Sequence, residues 1–241
     1  MGYIETLIQS NHHSYIIIWL RFLDDIFFIW TGTPTALHEF INHMNNIHPK
    51  IKFTTTISTS TVNFLDTTIY LDTERYLQST LYRKPTDKNL ILDFESYHPL
   101  HTKTGIIYSQ ALRYSLICSK DSDLENELTK LKRILLARNY PNQLIDDNFH
   151  KALLIPRQTL LNNRTRHPTK DILPFITPFH PLSKLHTTYT KHLYEHYFKS
   201  KNSENTTLPP NLTTCYTKHK TIKDLLIRAH LPRSVNLTPD T

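Results

Sequence analysis

The stretch Tyr15–Trp30 constrains this chain more than any other. It reads Tyr-Ile-Ile-Ile-Trp-Leu-Arg-Phe-Leu-Asp-Asp-Ile-Phe-Phe-Ile-Trp, two runs of branched and aromatic residues interrupted by one pair of carboxylates. Such side chains favour strands, and each run has strand length. The spacing predicts a β-hairpin with Asp24 and Asp25 at its turn. Neither Asn-Gly nor Asp-Gly is present, so ease of turning did not select these residues. Adjacent carboxylates beside apolar strands repel each other and resist desolvation. A divalent cation removes both penalties. Mg²⁺ takes oxygen ligands and commonly completes its shell with substrate phosphates. Nucleotidyl transfer uses such ions to clamp the attacking and leaving oxygens. An Asp-Asp pair alone also fits an ordinary acidic surface turn; the apolar flanks favour the metal-holding reading.

The next segments extend this start into an α+β pattern. Thr33 reads as an N-cap with Pro34 at the first helical position, and Ala36, Leu37, Phe40, Ile41, Met44 and Ile47 share one helical face. That helix should stop before Pro49. Strands are predicted near Ile51–Ser58, Val62–Leu71 and Tyr76–Arg83, all rich in Thr, Ile, Tyr and Phe. Sheet plus one helix over residues 1–88 is an α+β arrangement.

Beyond Pro85 the period becomes helical. Tyr108, Ala111, Leu112 and Leu116 share a face, and Ser122 with Glu125 has the spacing of a capping box. Leu124, Leu128, Leu131 and Leu135 form an apolar stripe, closed by Asn139 as a left-handed cap and by Pro141. A further helix near Gln143–Leu154 should bury Ile145, Phe149, Ala152 and Leu153. A link of three or four residues between these two helices is helix-turn-helix spacing. After Pro156 prolines accumulate, with a helix expected around Leu185, Tyr189 and Leu193, a polar loop at Lys199–Pro210 and a short helix at Ile222–Ala229.

Charge divides the chain. Residues 1–150 carry 14 basic and 16 acidic side chains, whereas 151–241 carry 14 basic and 5 acidic, a net +9. A basic C-terminal part suits a polyanionic partner, nucleic acid above all, and also suits a solvated surface. Only three glycines occur, Gly2, Gly32 and Gly105, which excludes a glycine-rich phosphate cradle. Two distant cysteines, Cys118 and Cys215, make no disulfide framework. Cys215 and His219 have zinc-compatible spacing, but structural zinc needs four ligands, so a free cysteine is expected. No apolar run is long enough to span a bilayer and nothing reads as a secretory signal, so a nuclear or cytoplasmic location is expected.

Phe22-Leu23-Asp24-Asp25 resembles the Tyr-x-Asp-Asp box of reverse transcriptases, and Trp19–Trp30 is similar to that box in Penelope-like retroelements. The likeness continues through Asn63-Phe-Leu-Asp66, Leu81-Tyr-Arg-Lys-Pro-Thr86, Tyr97-His-Pro99, Tyr108-Ser-Gln110, Leu112-Arg113, Ile117-Cys-Ser119, Asn139-Tyr-Pro141 and Lys223–Ala229. The resemblance implies a palm piece at 1–88, a helix-turn-helix-like thumb at 89–158 and a basic proline-rich connector at 159–241. It implies RNA-directed DNA synthesis with Asp24 and Asp25 as Mg²⁺ ligands, acting on an RNA template and a DNA primer. Met1–Glu5 resembles sequence that follows the nucleotide-checking helix of the family. The fingers, a third catalytic Asp and the GIY-YIG endonuclease would then lie outside this sequence, and the isolated chain is expected not to polymerise.

Several basic positions are candidates for nucleic-acid contact. Tyr82, Arg83 and Lys84 stand where the family has its primer grip, and Arg can fork onto phosphate. Lys103 and Arg113 lie in the thumb; Arg157, Arg164 and Arg166, with His167 and Lys170, follow it. Asp146 and Asp147 in the would-be recognition helix repel phosphate, which favours gripping a duplex by shape over reading sequence and leaves a plain packing unit as the alternative. Two other readings remain open: a non-catalytic helix-turn-helix protein that binds nucleic acid, and an inert retroelement relic.

Overall fold

The computed structural model describes residues 13–88, 90–162, 172–196, 209 and 211–217. Two compact units partition the chain. One comprises Met1–Ser96 with Thr104–Asn162, the other Tyr97–Lys103 with Asn163–Thr241. Helices and strands both occur throughout the described residues, so the architecture is α+β.

The first unit begins with the expected hairpin. Strands β1 (Ile16–Phe22) and β2 (Asp25–Trp30) pair antiparallel, and the Phe22–Asp25 pair closes a two-residue turn of Leu23 and Asp24. Helix α1 (Pro34–Asn46) starts as its sequence dictates: the Thr33 hydroxyl accepts from the Ala36 amide, with proline at the first turn. Phe40 and Met44 are buried, packed against Trp19, Phe28 and Trp30 of the hairpin. The stacked Trp30–Phe40 rings, 5.2 Å between centroids, anchor that face.

Residues 51–58 form no strand, contrary to their composition. The Asn45 side chain explains why. Its oxygen accepts from the Phe53 amide at 2.6 Å and its nitrogen donates to the Phe53 carbonyl at 3.3 Å, so one side chain serves both backbone groups that a strand would pair. The Val62–Leu71 run is likewise two strands rather than one. Strands β3 (Thr61–Phe64), β4 (Thr67–Leu71) and β5 (Leu77–Leu81) form an antiparallel meander.

Three helices supply the main core: α2 (Leu100–Ile117), α3 (Asp121–Leu136) and α4 (Asn142–Leu153). Leu128, Leu131 and Leu135 pack with Ile107, Ala111, Tyr114, Tyr140, Ile145, Phe149 and Ala152. The buried face of α2 runs through Ile107, Ala111, Tyr114 and Cys118, the i, i+4, i+7, i+11 positions. It is therefore rotated from the face predicted through Leu116, which is exposed. In α4 Asn148 is buried and Leu153 is exposed. The Ser122–Glu125 capping box does not form, because α3 begins two residues earlier, with Lys120 rather than Ser122 at its N-cap position. Lys120 is held there by Asp72 at 3.0 Å. Asp121 and Asp123 complement the helix dipole in place of a side-chain cap. Five residues, not three or four, join α3 to α4, and Asn139 turns left-handed among them at φ 62°. A short helix α5 (Arg157–Leu161) follows.

Sheet and helices are joined by side chains as well as by sequence. The Ser79 amide donates to the Ser119 hydroxyl at 2.8 Å, the Ser79 hydroxyl to the Ile117 carbonyl at 2.7 Å, and the Ser119 amide to the Ser79 carbonyl at 2.9 Å. Tyr70 donates to Asp123 at 2.6 Å. The free edge of β5 thus pairs with the C-terminal end of α2.

The second unit holds β6 (Ile172–Pro178), α6 (Ser183–Tyr194) and β7 (Asn211–Thr217). Its two strands pair in parallel, from Ile172 with Asn211 to Pro178 with Thr217. A parallel pair requires a crossover connection, and α6 lies in it. Helix α6 contains the expected Leu185, Tyr189 and Leu193, with Leu185 and Tyr189 exposed. The helix expected at Ile222–Ala229, and the loop at Lys199–Pro210 apart from Pro209, lie outside the described residues.

Candidate nucleic-acid interface

The acidic hairpin tip is built by a strained turn. Leu23 takes a left-handed conformation at φ 53°, which costs a branched aliphatic residue about 1–2 kcal/mol. Arg21 donates to the Leu23 carbonyl at 3.1 Å and holds the turn. Asp24 lies in the turn, Asp25 opens β2, and both are exposed. Among the described residues no three His, Cys, Asp or Glu side chains are grouped as a metal site.

A second tip repeats this one. Phe64-Leu65-Asp66 closes the β3–β4 hairpin as Phe22-Leu23-Asp24 closes the first, and Leu65 has φ 54°. The sequence signal was the duplicated Phe-Leu-Asp tripeptide, whose first copy alone drew a functional reading. The two hairpins touch through Phe27 and Phe64, whose ring centroids are 5.6 Å apart. At the second tip the Asp66 carbonyl accepts from the Tyr82 amide at 2.8 Å, and the Asp66 carboxylate takes Arg113 at 2.5 Å. Two predicted contact residues, Tyr82 and Arg113, therefore converge on one aspartate.

Arg83 is committed internally. Its guanidinium donates to the Tyr114 hydroxyl, lies 5.4 Å from the centre of that ring, and sits 3.9 Å from the Glu127 carboxylate. Buried Glu127 also accepts from Lys130 at 2.5 Å. Burial pushes the Tyr114 hydroxyl above its ordinary pKa, so it stays a neutral acceptor for Arg83. Neither Tyr114 nor Glu127 was singled out from sequence, since helical periodicity does not reveal a partner on a distant strand. Lys84, in the connection that follows β5, is exposed. Arg157 donates through Nε to the Leu116 carbonyl at 3.1 Å, capping α2. Lys103 is half-buried and belongs to the second unit. Arg164, Arg166, His167 and Lys170 lie outside the described residues, as does His219, while Cys215 is exposed on β7.

In α4 the carboxylates are paired off. Asp146 meets Lys132 at 2.6 Å and Asn142 at 3.0 Å, and Asp147 accepts from Gln143 at 2.9 Å. Exposed His150 and Lys151 follow one turn later.

Helices α2, α3 and most of α4 coincide with a recognised pattern. Residues 90–150, about a quarter of the chain, match the family model described as the animal helix-turn-helix domain. Neither the curated proteins nor the solved structures contain a match to the chain.

Proposed function

We propose that this chain is the palm-and-thumb portion of an RNA-directed DNA polymerase from a Penelope-like retroelement, and that its helices grip an RNA–DNA duplex. The observation that carries this reading is the first hairpin tip. Two adjacent exposed carboxylates stand at a two-residue turn whose leucine is strained. Strain of that kind collects at functional sites. The donor chemistry suits a hard cation: Asp24 and Asp25 offer oxygen ligands only, in the number that Mg²⁺ takes beside phosphates. Mg²⁺ bound there would supply charge stabilisation to phosphoryl transfer. The chain's own residues fix the tip through Arg21 and stiffen the hairpin through Trp19, Phe28 and Trp30 against α1.

The hairpin also favours a neighbouring layer. Its sheet has two strands among the described residues, and Ile18, Leu20 and Phe22 on one face of β1 are exposed. Two-stranded sheets are marginal alone. An upstream polymerase segment with a further palm strand and carboxylate is the partner that this reading supplies. A second reading, a non-catalytic nucleic-acid-binding protein, is favoured by the helix-turn-helix match over 90–150.

Primer extension separates the two. The product of the reading frame that contains this chain and its upstream segment should extend a DNA primer on RNA with Mg²⁺. Asp24→Ala and Asp25→Ala should each abolish extension and leave duplex binding intact. Extension by the doubly substituted protein refutes the carboxylate roles. Duplex binding without extension by the unsubstituted protein selects the second reading.

A further inference from the structure

The second hairpin tip carries an arrangement that the polymerase reading does not use. Asp66 and Arg113 are brought together from positions 47 residues apart, at 2.5 Å, and both are open to water: the side chains are 67% and 42% exposed. An exposed ion pair adds little to stability, between nothing and about 1 kcal/mol. Yet the turn that presents Asp66 is fixed at two points. Leu65 is left-handed at φ 54°, and the Asp66 carbonyl is tied to the Tyr82 amide at 2.8 Å. A stabilising role therefore explains the exact pairing poorly, and the geometry of the neighbours explains it better. Tyr82 begins the Tyr82-Arg83-Lys84 segment, with Lys84 exposed two residues on, and Arg113 projects from α2 to the same tip. The tip thus holds a guanidinium suited to a phosphodiester, with one carboxylate lodged against it.

We propose that Asp66 is a built-in competitor for Arg113, occupying the guanidinium until a backbone phosphate of duplex nucleic acid displaces it. This rests on the nucleic-acid-binding reading above and deepens it. A carboxylate and a phosphate both accept from the guanidinium fork, so one can replace the other without rebuilding the site. The exchange releases Asp66 to water, which its exposure makes inexpensive. Asp66 thereby weakens loose binding and leaves contacts made at several phosphates at once to prevail. Arg83 cannot play the same part, because Tyr114 and buried Glu127 hold it internally.

The test uses the full chain, a fluorescein-labelled RNA–DNA hybrid and fluorescence anisotropy across a salt series. Asp66→Asn keeps the side-chain shape and removes the charge. It should tighten binding roughly threefold, the scale of one exposed ion pair. Arg113→Gln should weaken binding and lower the slope of log affinity against log salt by about 0.9, one phosphate contact. In the Arg113→Gln background Asp66→Asn should change nothing, and Arg113→Lys should restore part of the effect. An equal gain from Asp66→Asn with and without Arg113 overturns the proposal, since a general charge effect needs no partner. No gain in a protein that binds the hybrid overturns it as well, and leaves the binding reading standing. Absence of binding by every form at low salt overturns both. Circular dichroism melts of each variant verify that the fold is retained.

Discussion

Leu135 and Leu136 are neighbours in sequence with opposite environments, and that contrast makes a severe test of the helical core. Leu135 is fully buried among Ile107, Ala111, Tyr140, Ile145 and Phe149, whereas Leu136 is 43% exposed. Leu135→Ala deletes three buried carbons and leaves a cavity, at a cost of about 3 kcal/mol within the usual 2–5. The Leu135 carbonyl accepts from the Arg138 and Tyr140 amides at 3.0 and 3.1 Å, and alanine preserves both bonds. The effect therefore reports packing alone. In a unit of this size, each kcal/mol lowers Tm by about 2–4 °C, so a fall of about 6–12 °C is expected. Leu136→Ala should cost about 0.5 kcal/mol or less, a degree or two. Thermal melts followed at 222 nm, with urea titrations to obtain free energies, measure both. Equal losses from the two substitutions would refute the helix phase, and with it the packing of α3 against α2 and α4.

Two further outcomes follow from the same interior. The Tyr140 hydroxyl is buried and is the one such side-chain atom among the described residues without a hydrogen-bond partner, so Tyr140→Phe should stabilise the chain by about 1 kcal/mol, read as a raised urea midpoint; a clear loss would mean that the hydroxyl is bonded in solution. The joint between sheet and helices should limit stability at both ends of the pH scale. Hydrogen bonds from Gln78 and the Tyr76 amide, with Lys120 beside it, hold Asp72 at about 2, below its ordinary 3.8. Its contribution is complete above pH 3.8 and is lost as pH falls toward 2. Tyr70, bonded to Asp123, is pushed up from 10.0 to about 12, so its contribution is complete below pH 10 and is lost as pH rises toward 12. Melting temperatures across pH should flatten at the acid end in Asp72→Asn and at the alkaline end in Tyr70→Phe; unchanged limbs would discharge these two groups.

Local signals decided most of the elements that the sequence revealed. The first hairpin was legible because strand-forming runs flank a single polar break, and α1 because Thr33 and Pro34 mark its start in two residues. Asn139 was legible as a left-handed cap because few other side chains accept that conformation. The failures share a cause in tertiary contact. Residues 51–58 have strand composition, but Asn45 takes the backbone of Phe53. Ser122 and Glu125 have capping spacing, but Asp72 on another element sets where α3 begins. The α2 face was misread because Leu116 looks like core, while Tyr114 packs into the helical core and keeps its hydroxyl bonded to Arg83. Arg83 shows the same limit for function: its residue type suited phosphate, and only a partner 31 positions away showed it to be engaged.

Shape and charge fall on different parts of this chain, and that separation bears on how it could hold nucleic acid. The segment matching a helix-turn-helix domain, 90–150, carries seven basic and eight acidic side chains. Several of its cations are already answered: Arg113 by Asp66, Lys120 by Asp72, Lys130 by Glu127 and Lys132 by Asp146. A recognition helix that neutralises phosphates needs donors to spare, and here Asn142 and Gln143 spend theirs on Asp146 and Asp147. The net +9 of residues 151–241 is the larger electrostatic resource. Counterion release scales with the phosphates neutralised, so non-specific affinity would come mainly from that basic part. The helical unit then contributes geometry more than attraction. In such a division, a single internal competitor at Arg113 is enough to change how the neutral surface meets a duplex, because few other cations on it are free to compensate.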